Sequence, residues 1–136
     1  MILTPGQERF KALTEYYFKC ADSIILIYDI ANKKTLEECK EFFKVKIKEK
    51  SKNNVKIMLL GNKNDLEDKR EVTSEEGYEF ALENNYIFTE TSCLKNENIS
   101  KALEYIIIET YLHKKQENPK DENQNKNKNE KSCQIY

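Results

Sequence analysis

The chain has 136 residues, 38% of them hydrophobic and 35% charged, which is enough for one ordinary domain and no more. Lys and Arg number 23 against 24 Asp and Glu, a net charge of −1; no whole-chain basic field would draw it to nucleic acid, and no nucleic-acid partner is expected. No apolar stretch approaches the ~18 residues of a membrane span, the start has no signal-peptide pattern, and the four cysteines include no C-x-x-C pair, so reduced thiols in the cytosol and no metal site are expected.

Residues 23–29, Ser-Ile-Ile-Leu-Ile-Tyr-Asp, form a continuous run rich in β-branched residues and read as a strand buried on both faces. From Thr35 onward, Leu36, Cys39, Phe43 and Ile47 recur at helical spacing, and Thr35 with Glu38 fits a capping box. Residues 55–60, Val-Lys-Ile-Met-Leu-Leu, predict a second strand that stops at Gly61. A second helix is predicted after Thr73, with Glu76 as the box partner; it carries Phe80 and Ala81 and is weakened by Gly77. Residues 86–90 predict a third strand, and Ile99, Ala102, Leu103, Ile106, Ile107 and Thr110 form one stripe of a last helix. Strands alternating with helices predict an α/β fold, a parallel sheet covered on both faces. From Lys114 to Gln134 no aliphatic or aromatic residue appears. Residues 114–136 are therefore expected to be a disordered tail behind a folded part spanning 1–113.

In open parallel sheets, ligands bind beyond the carboxyl ends of the strands. Two of the three strand ends carry polar sequence: Gly61-Asn62-Lys63-Asn64-Asp65 and Glu90-Thr91-Ser92-Cys93. An Asp placed there can accept two parallel hydrogen bonds, from a ring N–H and an exocyclic amine, a pair that guanine presents and adenine does not. Sites of that kind reject the unmatched analogue by roughly four orders of magnitude, because a buried acceptor is left unpaired. Asn62 can bridge the loop and the other edge of the base, and the alkyl stem of Lys63 can lie over the ring. Taken alone, the run reads as a polar turn at a strand end.

The remaining segments change that weighting, because the chain resembles a Ras-like small GTPase, most closely of the Rab group. Gly61-Asn62-Lys63-Asn64-Asp65 is similar to the guanine-specificity motif N-K-x-D. Glu90-Thr91-Ser92-Cys93 is similar to E-T-S-A, whose backbone N–H contacts the guanine oxygen. Pro5-Gly6-Gln7-Glu8-Arg9-Phe10 resembles A-G-Q-E-R-F of the second switch, Tyr16 to Ala21 resembles Y-Y-R-G-A, and Leu26-Ile27-Tyr28-Asp29-Ile30 matches L-V-Y-D-I. The resemblance implies a P-loop GTPase domain that binds GTP and GDP with Mg²⁺. It implies nucleotide contacts at Gly6, Asn62, Lys63, Asp65, Ser92, Cys93 and Leu94, with Gln7 orienting the attacking water. It also implies a switch in membrane traffic, whose exchange factors, GTPase-activating proteins and effectors engage the second-switch helix.

The departures carry equal weight. The family's phosphate-binding loop, G-x-x-x-x-G-K-[ST], should lie well before the second switch, which here begins at residue 4. That loop, its Mg²⁺-binding residues and the first switch have no counterpart in the 136 residues. Leu3 stands where the family has the Asp of D-T-A-G, and Leu94 where it has the Lys of S-A-K, although Leu94 can still cover the base as an apolar plate. The expected domain is thus partial, a three-layer parallel sheet lacking its N-terminal strands. Its strand at 23–29 would present an unpaired apolar edge. Three origins fit: a start placed too late in the coding sequence, a real short product, or a degenerate switch. A rival reading from another class is a non-enzymatic interaction fragment that presents Phe10, Leu13, Tyr16 and Tyr17 without nucleotide.

The C-terminus, Ser132-Cys133-Gln134-Ile135-Tyr136, reads as a C-a-a-X prenylation box with an unusual last residue. Lipid on Cys133 would hold the chain peripherally and reversibly on the cytosolic face of membranes, since one lipid anchors only marginally.

Overall fold

The computed structural model describes residues 21–42 and 55–117. The expectations placed on Gly6, Gln7, the second-switch segment, Phe43, Ile47 and Cys133 lie outside the described residues. Strand β1, Ser23–Asp29, and strand β2, Lys56–Asn62, pair in parallel, and β2 pairs in parallel with β3, Ile87–Thr91. The order is β1-β2-β3. Helix α1, Lys33–Phe42, connects toward β2; a 3-10 helix, Asn64–Lys69, and helix α2, Ser74–Glu83, connect β2 to β3; helix α3, Ile99–Glu117, follows β3.

The layers follow from which face each apolar side chain takes. Ile24, Leu26, Tyr28, Ile57 and Leu59 pack with Leu36 of α1 and Ala81 of α2 on one side of the sheet. Met58 and Leu60 pack with Ala102 and Ile106 of α3 on the other. This is the predicted three-layer arrangement. The central strand β2 is buried from Ile57 to Gly61 on both faces, as a strand sandwiched between helices must be. Strand β1 departs from the expectation. Ile24, Leu26 and Tyr28 are buried, but Ile27 on the opposite face is 54% exposed. On that face Ile25 packs against the cluster of Met58, Leu60, Ala102 and Ile106, but Ile27, nearer the carboxyl end, is left uncovered.

Three boundaries also differ from the sequence reading. Helix α1 begins at Lys33, two residues before Thr35. Thr35 is not its cap: the Thr35 hydroxyl accepts from the Asp29 N–H at 2.9 Å and donates to the Asn32 carbonyl at 2.7 Å, while Asn32 Oδ1 accepts from the Lys34 N–H. Strand β2 runs through Gly61 to Asn62, because pairing with both neighbours continues that far. Helix α3 runs to Glu117, past the expected tail start at 114. Its last residues are good helix formers, and Lys114 pairs with Asp22 at 2.7 Å. On α3, Ala102 and Ile106 are buried as expected, but Ile107 is 65% exposed and faces away from the sheet.

The cap on α2 agrees with the sequence: Thr73 Oγ1 accepts from the Glu76 N–H at 3.1 Å. Glu76 itself turns to Lys33 and Lys40. Gly77 has a packing reason that its helix-weakening character hides. A Cβ there would lie 2.5 Å from Tyr28 Oη and 2.8 Å from Phe88 Cε2. Gly77→Ala is therefore expected to destabilise the fold by ~1–3 kcal/mol, overcoming its gain in helix propensity, and to lower the urea midpoint. Tyr28 is 2% exposed, and its buried hydroxyl has no hydrogen-bond partner among the described residues. Burial pushes that phenol well above the usual range. Tyr28→Phe should accordingly be neutral or stabilising and should recover part of the Gly77→Ala loss in the double variant. A larger loss from Tyr28→Phe than from Gly77→Ala would contradict this packing account.

Candidate functional site

Parallel pairing brings the three strands to a common end. Asp29 lies opposite Asn62, and Asn62 lies opposite Thr91. The residues that follow therefore gather along one edge of the sheet, where ligands of open α/β folds bind.

Beyond β2 the chain turns at once. Lys63 takes the left-handed conformation, φ 67° and ψ 38°, and the 3-10 helix starts at Asn64. This turn carries Asp65 back toward the end of β3. Asp65 Oδ1 accepts a short hydrogen bond from Ser92 Oγ. Ser92 is fully buried, and its Oγ accepts in turn from the Lys95 N–H at 3.0 Å. One carboxylate oxygen of Asp65 is thus held by the protein. Its other oxygen has no hydrogen-bond partner among the described residues.

Asn62 makes the second link. Its Oδ1 accepts from the Cys93 N–H at 3.3 Å and from Thr91 Oγ1 at 3.4 Å. The Cys93 N–H, expected to face the base oxygen, donates to Asn62. Cys93 is exposed, and Leu94 stands beside it at 84% exposure. The segment from Ser92 to Asn98 is a tight loop: Ser92 and Glu97 exchange both backbone hydrogen bonds, Asn98 Nδ2 donates to the Glu90 carbonyl, and Asn96 and Asn98 take positive φ. Asn is the residue that most readily accepts that conformation after glycine.

Lys63 is held from the end of β1. Its Nζ meets Asp29 Oδ2 at 2.5 Å. Burial alone would raise the Asp29 carboxyl, but the Lys63 ammonium and the Ala31 N–H more than offset this and hold it below the usual value. Asn62, Lys63, Asp65, Ser92, Cys93 and Leu94 are thus brought together at one end of the sheet. Gly6 and Gln7 lie outside the described residues.

Behind the site stands a pair to which the sequence reading gave no role. Arg70 Nη1 and Nη2 donate to the two oxygens of Glu90 at 2.8 and 2.9 Å, and Ser74 Oγ donates to Glu90 Oε2 at 3.0 Å. A sequence signal was present. Of 23 basic residues only Arg9 and Arg70 are arginines, and a chain that otherwise uses lysine keeps arginine where a planar, forked donor is required.

Among the described residues no three His, Cys, Asp or Glu side chains are grouped to hold a metal ion. These residues do not fit a Mg²⁺ site, so no role is assigned to the ion here. No described helix is long and apolar enough to cross a membrane.

Comparison with known proteins agrees with this geometry. A family model described as Ras family matches residues 1–112. The Ras-related protein Rab-11A of Dictyostelium discoideum is 37% identical over 108 residues, which covers 79% of this chain and 50% of that relative. The chain thus spans about half the length of the curated relative it matches. With most of its length under one family model, this chain belongs to the Ras family of small GTPases, and it is similar to a Rab protein within it.

Proposed function

We propose that this chain carries the guanine-recognition half of a Rab-type GTP-binding switch acting in membrane traffic. The observation that carries the reading is the convergence of Asp65 and Asn62 with Ser92 and Cys93 at one end of the parallel sheet. Asp65, with one oxygen anchored by Ser92, accepts from the guanine ring N–H and its 2-amino group. Asn62 addresses the opposite edge of the base, and the Cys93 N–H its carbonyl oxygen. Lys63 and Leu94 supply the two covering surfaces. Gly6 and Gln7 belong to the second switch, with Gln7 orienting the water that attacks the γ-phosphate. Family-type exchange factors, GTPase-activating proteins and effectors engage the second-switch helix.

The test is equilibrium dialysis of the purified chain with GDP and ADP. GDP is expected to bind at least about tenfold more tightly, since adenine cannot satisfy Asp65. Equal retention of the two nucleotides would remove guanine recognition from the account.

Cys133 is proposed as the lipid attachment point that places the chain on the cytosolic face of membranes. In cells with active prenyltransferases, Cys133→Ser is expected to move most of a tagged protein from the membrane fraction to the soluble one. Equal membrane fractions for the two forms would exclude Cys133 as the anchor.

A further inference from the structure

The two loops of the candidate site are joined by the short Ser92–Asp65 hydrogen bond and, more weakly, through Asn62. Asn62 reaches Cys93 and Thr91 only at 3.3 and 3.4 Å, and a bound base would compete for these same groups. A second, forked connection lies behind them. Arg70 follows Asp65 by five residues at the end of the 3-10 helix, and Glu90 precedes Ser92 by two at the end of β3. Their side chains are only 14% and 16% exposed.

Arg70 uses every donor it has. Nη1 serves Glu90 Oε1 and the Val72 carbonyl, Nη2 serves Glu90 Oε2 and Glu67, and Nε serves Glu67. Five N–H groups in a rigid fork thereby join the 3-10 helix, the bend at Val72 and the end of β3. Glu90 lies opposite Gly61 in the sheet. A Cβ on Gly61 would come within 2.8 Å of Tyr28 Oη and 3.2 Å of Glu90 Cγ, so the glycine directly before Asn62 leaves room for both side chains.

We propose that Arg70 is a positioning residue of the guanine site, its guanidinium tying the segment that carries Asn62 to Asp65 against the end of β3 from which Ser92 to Leu94 extend. The proposal rests on the guanine reading of that site. Arg70 acts through the protein groups its donors reach, Glu67, Val72 and Glu90. It sets the separation between the carboxylate of Asp65 and the N–H groups of the second loop, and hence whether one base can reach both.

The test uses Arg70→Lys and the double variant Arg70→Met with Glu90→Gln in the full chain. Lys keeps the charge but offers three donors on a flexible stem in place of five in a plane. The double variant removes both charges together, so no buried charge is stranded if the single variant folds poorly. Amide hydrogen exchange is read without nucleotide at Ser92, Lys95 and Glu97, and at Leu26 and Leu59 in the sheet. Both variants are expected to exchange about tenfold faster at the three loop amides with the sheet amides unchanged, and to bind guanosine about tenfold more weakly. Unchanged loop exchange, or exchange raised equally in loop and sheet, would overturn the proposal, the second because it marks a merely structural pair. Local loosening in a chain whose wild type takes no guanosine would sink the guanine reading instead and leave Arg70's hold on the loops supported.

Discussion

Asp65→Asn is expected to exchange the base preference of the site. In a chimera that joins this chain to the phosphate-binding half of a Rab relative, GTP affinity should fall by about two to four orders of magnitude and xanthosine triphosphate affinity should rise. The cause is the hydrogen-bond inventory at one side chain. A carboxylate accepts only, and so matches the N–H and amine of guanine; an amide also donates, and so matches the 2-oxo group of xanthine. Ser92 holds one oxygen of Asp65 in place, so an Asn in that position is presented at the same spot with its polarity divided between oxygen and nitrogen. Competition binding with the two triphosphates checks this. An unchanged preference for guanine in a folded variant would show that Asp65 does not read the base.

The second large effect concerns the phosphates. The 136-residue polypeptide contains no G-x-x-x-x-G-K-[ST] run, and its described residues group no metal ligands. Base contacts alone amount to a few hydrogen bonds, each netting roughly 0.5–1.5 kcal/mol, against the entropy of association. Hydrolysis requires charge stabilisation around the transferring phosphoryl group, which Gln7 by itself does not supply. Calorimetry with GTP and Mg²⁺ should therefore give weak binding that barely exceeds that of guanosine, and a single-turnover assay should release no phosphate. Submicromolar binding with Mg²⁺-dependent release would establish a complete phosphate site in this polypeptide.

Much of the fold was legible because burial writes itself into short apolar runs. Residues 23–29 and the stripe at Ala102 and Ile106 fall where their patterns place them. The cap at Thr73 was legible for the same reason: its partner lies three residues away. Local pattern misled where a distant group took over. Thr35 carries the sequence of a helix cap, yet the end of β1 captures its hydroxyl. Gly77 reads as a weak point in a helix until Tyr28 and Phe88 arrive from two different strands. Lys114 lies in a segment with no apolar residue, yet helix propensity and Asp22 carry α3 through it.

The site divides in the same way. Asn62, Asp65, Ser92 and Cys93 stood out because each lies at or just beyond the end of a strand, and parallel strands must bring their ends together. Arg70 and Glu90 did not, since their partnership across twenty residues exists only once β3 is beside β2. The link from Asp29 to Lys63 is likewise a product of sheet register.

The central claim is that the ends of β2 and β3 form one guanine-reading surface, and a nucleoside titration of the isotope-labelled chain followed by amide NMR tests it most directly. Guanosine is expected to shift the amides from Asn62 to Asp65 and from Ser92 to Leu94 together, with one dissociation constant, while adenosine at the same concentrations leaves them in place. Shifts of equal size with both nucleosides, or guanosine shifts confined to residues away from these two loops, would contradict it.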